Sequence, residues 1–187
     1  MDWFKKSILP SSGLESLLMN LSPVAKYRLL SIRARLAVAL VCVERFCRIS
    51  GLEHPELAAF FVHLWELPVM DNFPVWDSRK DPLTEAGLGD PFSPAIISMI
   101  SVAGVAEPTF RKLIESTVEI VYSSAYAATD DEGSLSQLEE VLRITSGAGV
   151  SAPSAQPFSS STFAEREGWG TPLPRHTVEQ WRHANVL

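Results

Sequence analysis

The chain has 187 residues, 46% hydrophobic and 20% charged, which suffices for one domain with a sizeable core. Its net charge of −6 is unevenly placed, with +5 on residues 1–50 and −11 on residues 51–187. The acidic part repels phosphates and argues against nucleic-acid binding, and no apolar run approaches the roughly 20 residues of a membrane span.

Trp3 and Phe4 beside Lys5 and Lys6 read as a short helix or an arm packed on the domain, in preference to an amphipathic membrane foot. No apolar run of signal-peptide length follows them, so a cytoplasmic location is expected. Gly13 to Asn20 carries Leu14, Leu17 and Leu18 at helical spacing.

Ser22-Pro23 is a start signal, Ser at the N-cap and Pro at the first helical position. From there to Ile49 a long helix is expected. Its centre, Leu36 to Val43, holds no charged residue, and a helix apolar on all sides belongs inside a fold. Arg28, Arg33, Arg35, Arg45 and Arg48 could line an anion site, but are expected on its solvated flanks, paired with acidic neighbours, and Gly51 supplies the stop. Cys42 and Cys47, five apart on diverging faces, are expected as buried reduced thiols and not as a disulfide.

A second helix is expected over Pro55 to Leu67, with Leu57, Phe60, Phe61, Leu64 and Trp65 in one apolar stripe. Pro68 to Pro94 then holds five prolines and no clear period, the signature of a long irregular loop. Further helices are expected over Ser93-Pro94 to Val102, Pro108 to Ala127, and Ser134 to Thr145, where Ser134 and Gln137 form a capping box. Ser146 to Thr162 is uncharged and rich in Ser, Ala, Gly and Pro, which predicts a linker. The tail, residues 163–187, has a capping box at Thr177 and Gln180. Its aromatics Phe163, Trp169 and Trp181 predict docking in place of disorder.

The expected architecture is therefore all-α. A bundle of six or seven helices over residues 1–145 surrounds the central helix at 23–49, and the linker at 146–162 leads to the tail.

No motif of good chemical specificity is present. Glu56, His63 and Glu66 share one side of a helix, but a helical carboxylate metal site needs Glu-x-x-His from two helices. A surface histidine between carboxylates is the expected arrangement. His176 and His183 are expected as peripheral polar residues. The cysteines lie in the most apolar helix, where a thiol pKa rises. Asp130-Asp131-Glu132 lacks the ligand spacing of a calcium loop. No catalytic residue, cofactor or metal is assigned.

The leading functional class is then a non-catalytic protein-binding protein. Its particular form would be a bacterial immunity protein that neutralises a basic toxin domain. An adaptor or secretion chaperone is the variant within that class, and a helical enzyme with a site assembled from distant residues is the alternative outside it. The expected binding surface is the 69–90 loop, with carboxylates Asp71, Asp77, Asp81, Glu85 and Asp90 around the aromatics Phe73 and Trp76. Trp76 after Pro74 would be a restrained anchor, unless it turns inward and seals the loop onto the core.

Overall fold

The computed structural model describes residues 24–125 and 129–184. The expected helix at 13–20, the Ser22-Pro23 start, the end of the helix at Ala127, and the last tail residues lie outside that range. Among the described residues the fold is all-α.

The central helix, α1, spans Ile32–Ile49, and every residue from Ile32 to Val43 is buried. It starts later than Pro23 for two reasons, one long-range and one local. Leu30 makes an isolated antiparallel bridge with Thr162, which holds the chain extended there. Ser31 then takes the N-cap, its hydroxyl accepting from the Ala34 amide. A single 3-10 turn, Ala25–Tyr27, precedes this. Arg33 and Arg35, expected on solvated flanks, are both buried. Arg35 donates to Asp131 at 2.5 Å, Ser134 at 2.6 Å and the Arg28 carbonyl at 2.6 Å, so its acidic partner is present but its exposure is not.

Helix α2, Pro55–Glu66, starts at the His54 N-cap with Pro at its first position. The expected loop at 68–94 folds into two short helices, α3 at Phe73–Asp77 and α4 at Pro82–Gly87. Each has an acidic or amide N-cap followed closely by proline, Asn72 accepting from Val75 and Asp81 from Leu83 and Thr84. Helix α5, Pro94–Val102, starts at the expected Ser93 cap. Helix α6 is Glu107–Tyr122 and α7 is Asp131–Gly147. The α7 cap is Asp130, which accepts from Gly133 at 2.8 Å. Ser134 therefore lies inside the helix, where its hydroxyl accepts from Arg35.

Helix α1 packs on α6 and α7, which also pack on each other, while α2 lies against α1 and α4. At Gly87 a Cβ would come within 2.6 Å of the Val118 side chain, so the missing side chain is what lets α4 approach α6.

The stretch at 146–162 is no free linker. Val150, Pro153, Phe158 and Ser161 are buried. Tyr27 donates to the Pro153 carbonyl at 2.5 Å, and the Ser31 amide donates to the Ser161 carbonyl at 3.1 Å. The Phe163 amide donates to the Leu29 carbonyl at 2.9 Å. The last helix, α8, spans Arg175–His183 and starts ahead of the Thr177 capping box, with no side-chain cap. Trp181 is buried, lies tilted against Phe158 with ring centroids 5.4 Å apart and donates to the Pro157 carbonyl at 2.9 Å. Bidentate Arg175–Glu66 bonds of 2.6 and 2.8 Å and Arg182–Glu44 at 3.1 Å fasten α8 to α2 and α1.

Candidate functional site

The proline in α3 places Trp76 one turn after Asn72, facing the core. Trp76 is 1% exposed. Its ring stacks on His63 at 4.3 Å, and its indole N–H donates to the His63 carbonyl at 2.9 Å. The inward alternative therefore describes it: Trp76 seals α3 onto α2 and does not stand out as an anchor. His63, expected at the surface, is buried with it. Burial lowers the His63 pKa from its ordinary 6.5, with Asp81 and Asp77 opposing the shift.

Phe73 is half-buried and joins this buried group to the tail. Its ring centroid lies 5.3 Å from Trp76, 6.0 Å from Tyr122 and 5.5 Å from Trp169. Around Phe73 and Trp169 lies a depression of about 230 Å³, walled also by Arg33, Leu67, Asp71 and Arg166. Arg33 comes from α1, Asp71 and Phe73 from the α2–α3 junction, and Arg166 and Trp169 from the tail. Arg166 forms an ion pair with Asp71 across the rim.

Of the seven residues expected at the binding surface, Asp71 and Phe73 meet in this depression, with Trp76 beneath Phe73. The other carboxylates do not line it. Asp77 accepts from the Tyr122 hydroxyl at 2.6 Å and from Lys80 at 3.0 Å. Asp81 caps α4 and also accepts from the Thr84 hydroxyl at 2.7 Å. Glu85 and Asp90 stand exposed. The binding surface expected from the sequence does not include Arg33, which is considered only with the other arginines of its helix, or Arg166. A signal for Arg166 existed in the glycines that follow it: Gly168 and Gly170 both take positive φ, 94° and 78°. That marks a built turn where composition predicts only a tail.

The turn is held tightly. A Cβ on Gly168 would come within 2.7 Å of Phe163 and Thr129, and one on Gly170 within 2.4 Å of Ser161 and 2.6 Å of Ser31. Glu165 accepts from the Thr162 hydroxyl at 3.0 Å and the Thr171 amide at 3.2 Å. Those bonds, the Thr171 amide first, hold its carboxyl below the ordinary range.

The expected metal-like trio is dispersed among other partners. Glu56 accepts from Ser93 at 2.9 Å, His63 is stacked on Trp76, and Glu66 holds Arg175. Burial pushes the thiols of Cys42 and Cys47 up to about 12, so neither is a thiolate at neutral pH. A larger groove, about 1120 Å³, runs between Lys26, Leu142 and Val150 on the opposite end of α7 from its N-cap. No described helix is long and apolar enough to cross a membrane. Neither protein-family models, curated protein sequences nor solved structures match the chain.

Proposed function

We propose that this chain is a non-catalytic binding protein that recognises another protein through the face around Phe73 and Trp169. A bacterial immunity protein acting on a basic toxin domain is the particular form that the acidic charge of residues 51–187 suggests. The observation that carries the reading is the half-buried Phe73–Trp169 pair, set in a depression with charges of both signs on its rim. Aromatic rings held rigidly and ringed by polar groups are typical of the few residues that dominate binding energy. Exposed Glu85 and Asp90 would add long-range attraction for a basic partner, raising the association rate more than the affinity.

The test is affinity purification from the native cell with wild-type chain and with Phe73→Glu. A stoichiometric protein captured by the first and lost with the second, at unchanged helicity, supports the reading. Capture that is indifferent to Phe73→Glu, or a co-purifying small molecule turned over by the chain, contradicts it.

A further inference from the structure

We infer that the depression beside Phe73 and Trp169 is a site for a carboxylate borne on an apolar or aromatic group, with Arg33 at its floor and Arg166 at its rim. The inference rests on the protein-binding reading in taking this as the binding face, and it names the chemistry that enters it.

Two buried arginines in α1 differ in one respect. Arg35 has a carboxylate partner in Asp131. Arg33 is 5% exposed, and its acceptors are two neutral backbone carbonyls, Gly170 at 3.2 Å from Nε and Leu67 from Nη1. No ion pair among the described residues includes it. A buried guanidinium without a counter-charge is costly. Burial and the neighbouring Arg166 accordingly pull the Arg33 pKa down to about 10, while Asp71 acts in the opposite sense.

The nearby acid is already engaged, though weakly. Asp71 pairs with Arg166, and its side chain is 69% exposed. Exposed ion pairs contribute little and open readily. An incoming carboxylate can therefore replace Asp71 on Arg166 while also supplying Arg33 with the charge it lacks. In this arrangement Asp71 is a resident competitor for the site.

Backbone geometry supports a constructed site. Arg166 and Glu167 adopt φ of 44° and 55°, the positive-φ non-glycine residues among those described. Left-handed backbone at such residues persists only where the surroundings enforce it, and it concentrates at ligand sites. Here the enforced turn sets Arg166 on the rim and Trp169 in the wall.

The ligand class follows from charge and shape. Guanidinium groups match carboxylates in planarity and donor spacing. Two guanidiniums against one carboxylate leave the lining at +1, which suits a monoanion and disfavours a doubly charged phosphate. The rings of Phe73 and Trp169 offer contact to a planar or apolar neighbour of that carboxylate.

The test titrates the full chain with N-acetylphenylalanine, its primary amide, benzoate and inorganic phosphate, following the Trp169 indole N–H resonance (assigned by Trp169→Phe). The acid should saturate and bind about tenfold tighter than the amide, the scale of one charge-assisted bond. Because Arg33 is buried, its replacement would report on folding as much as on binding. Arg166→Gln and Asp71→Asn, both exposed, are cleaner. The first should weaken the acid about tenfold, and the second should tighten it, which damage to the structure would not do. Acid and amide binding alike, no saturation by either, or phosphate binding tighter than the acid overturns the inference. Benzoate equal to N-acetylphenylalanine supports it with a small acid as the source. A Gly-Gly-Phe peptide with a free C-terminus that binds tighter than both supports it with a protein terminus as the source. Failure here leaves partner capture intact, whereas loss of partner capture alongside an intact titration counts against the face and not the pocket.

Discussion

Trp76 shows at the scale of one residue how local sequence can point both ways. Its setting after Pro74 and before Asp77 fits a restrained surface anchor as well as an inward plug. The choice is made by His63 in α2, which supplies both a stacking partner and a carbonyl acceptor. Trp76→Ala should therefore lower stability by about 3–5 kcal/mol, as expected for loss of a buried Trp, read from denaturant midpoints. A variant that keeps its midpoint but loses its partner would reinstate the anchor. His63 carries a pH dependence with a definite sign. Its folded pKa lies below the ordinary 6.5 because of burial, and its Nε2 is buried without a hydrogen-bond partner among the described residues. The unfolded chain thus takes up the proton more readily. The contribution of neutral His63 is complete above pH 6.5 and is lost as the pH falls through the folded value. His63→Gln should flatten the decline in Tm on acidification below that pH, and an unaltered slope would contradict the assignment. Arg35 was legible as a cation with an acidic partner, but not as a buried one, since Asp131 lies far away in sequence. Asp131→Asn should cost about 3 kcal/mol, the lower end for breaking a buried pair, because neutral acceptors remain.

At the scale of elements, the sequence displays long helices and conceals short ones. Ser93-Pro94 and the stripe from Leu57 to Trp65 mark α5 and α2 directly. Helices α3 and α4 are only five and six residues long, too short for apolar periodicity. Their caps and prolines at Asn72–Pro74 and Asp81–Pro82 were the available signal. The 146–162 stretch misleads for a different reason. Composition predicts flexibility from the residues themselves, but this strap is held by bonds to Tyr27 and Ser31, more than a hundred positions away. Among the aromatics of the tail, Trp181 is buried and donates to the Pro157 carbonyl. Trp181→Ala should cost about 3–5 kcal/mol, and truncation at Ser151 should destabilise the chain further by uncovering α1. Truncation that leaves the melting transition unmoved would show the strap to be dispensable. Leu40→Asp places an unpaired charge inside α1 and should abolish cooperative unfolding. A folded variant with a wild-type far-UV spectrum would remove α1 from the core.

At the scale of the whole molecule, the tail both completes the fold and builds the candidate site. Arg166 and Trp169 reach the depression only because Ser161, Phe163 and Gly170 are fixed against the start of α1. Two of the six residues lining the candidate site, Asp71 and Phe73, are therefore among those expected at a surface from the sequence. Arg166 and Trp169 join them through long-range closure that no local pattern encodes. The most direct test of the central claim is amide hydrogen exchange on the full chain with and without its captured partner. Binding through the Phe73–Trp169 face predicts protection at residues 71–76 and 165–170. Protection confined to the groove beside Lys26, Leu142 and Val150, with those two segments unchanged, would contradict it.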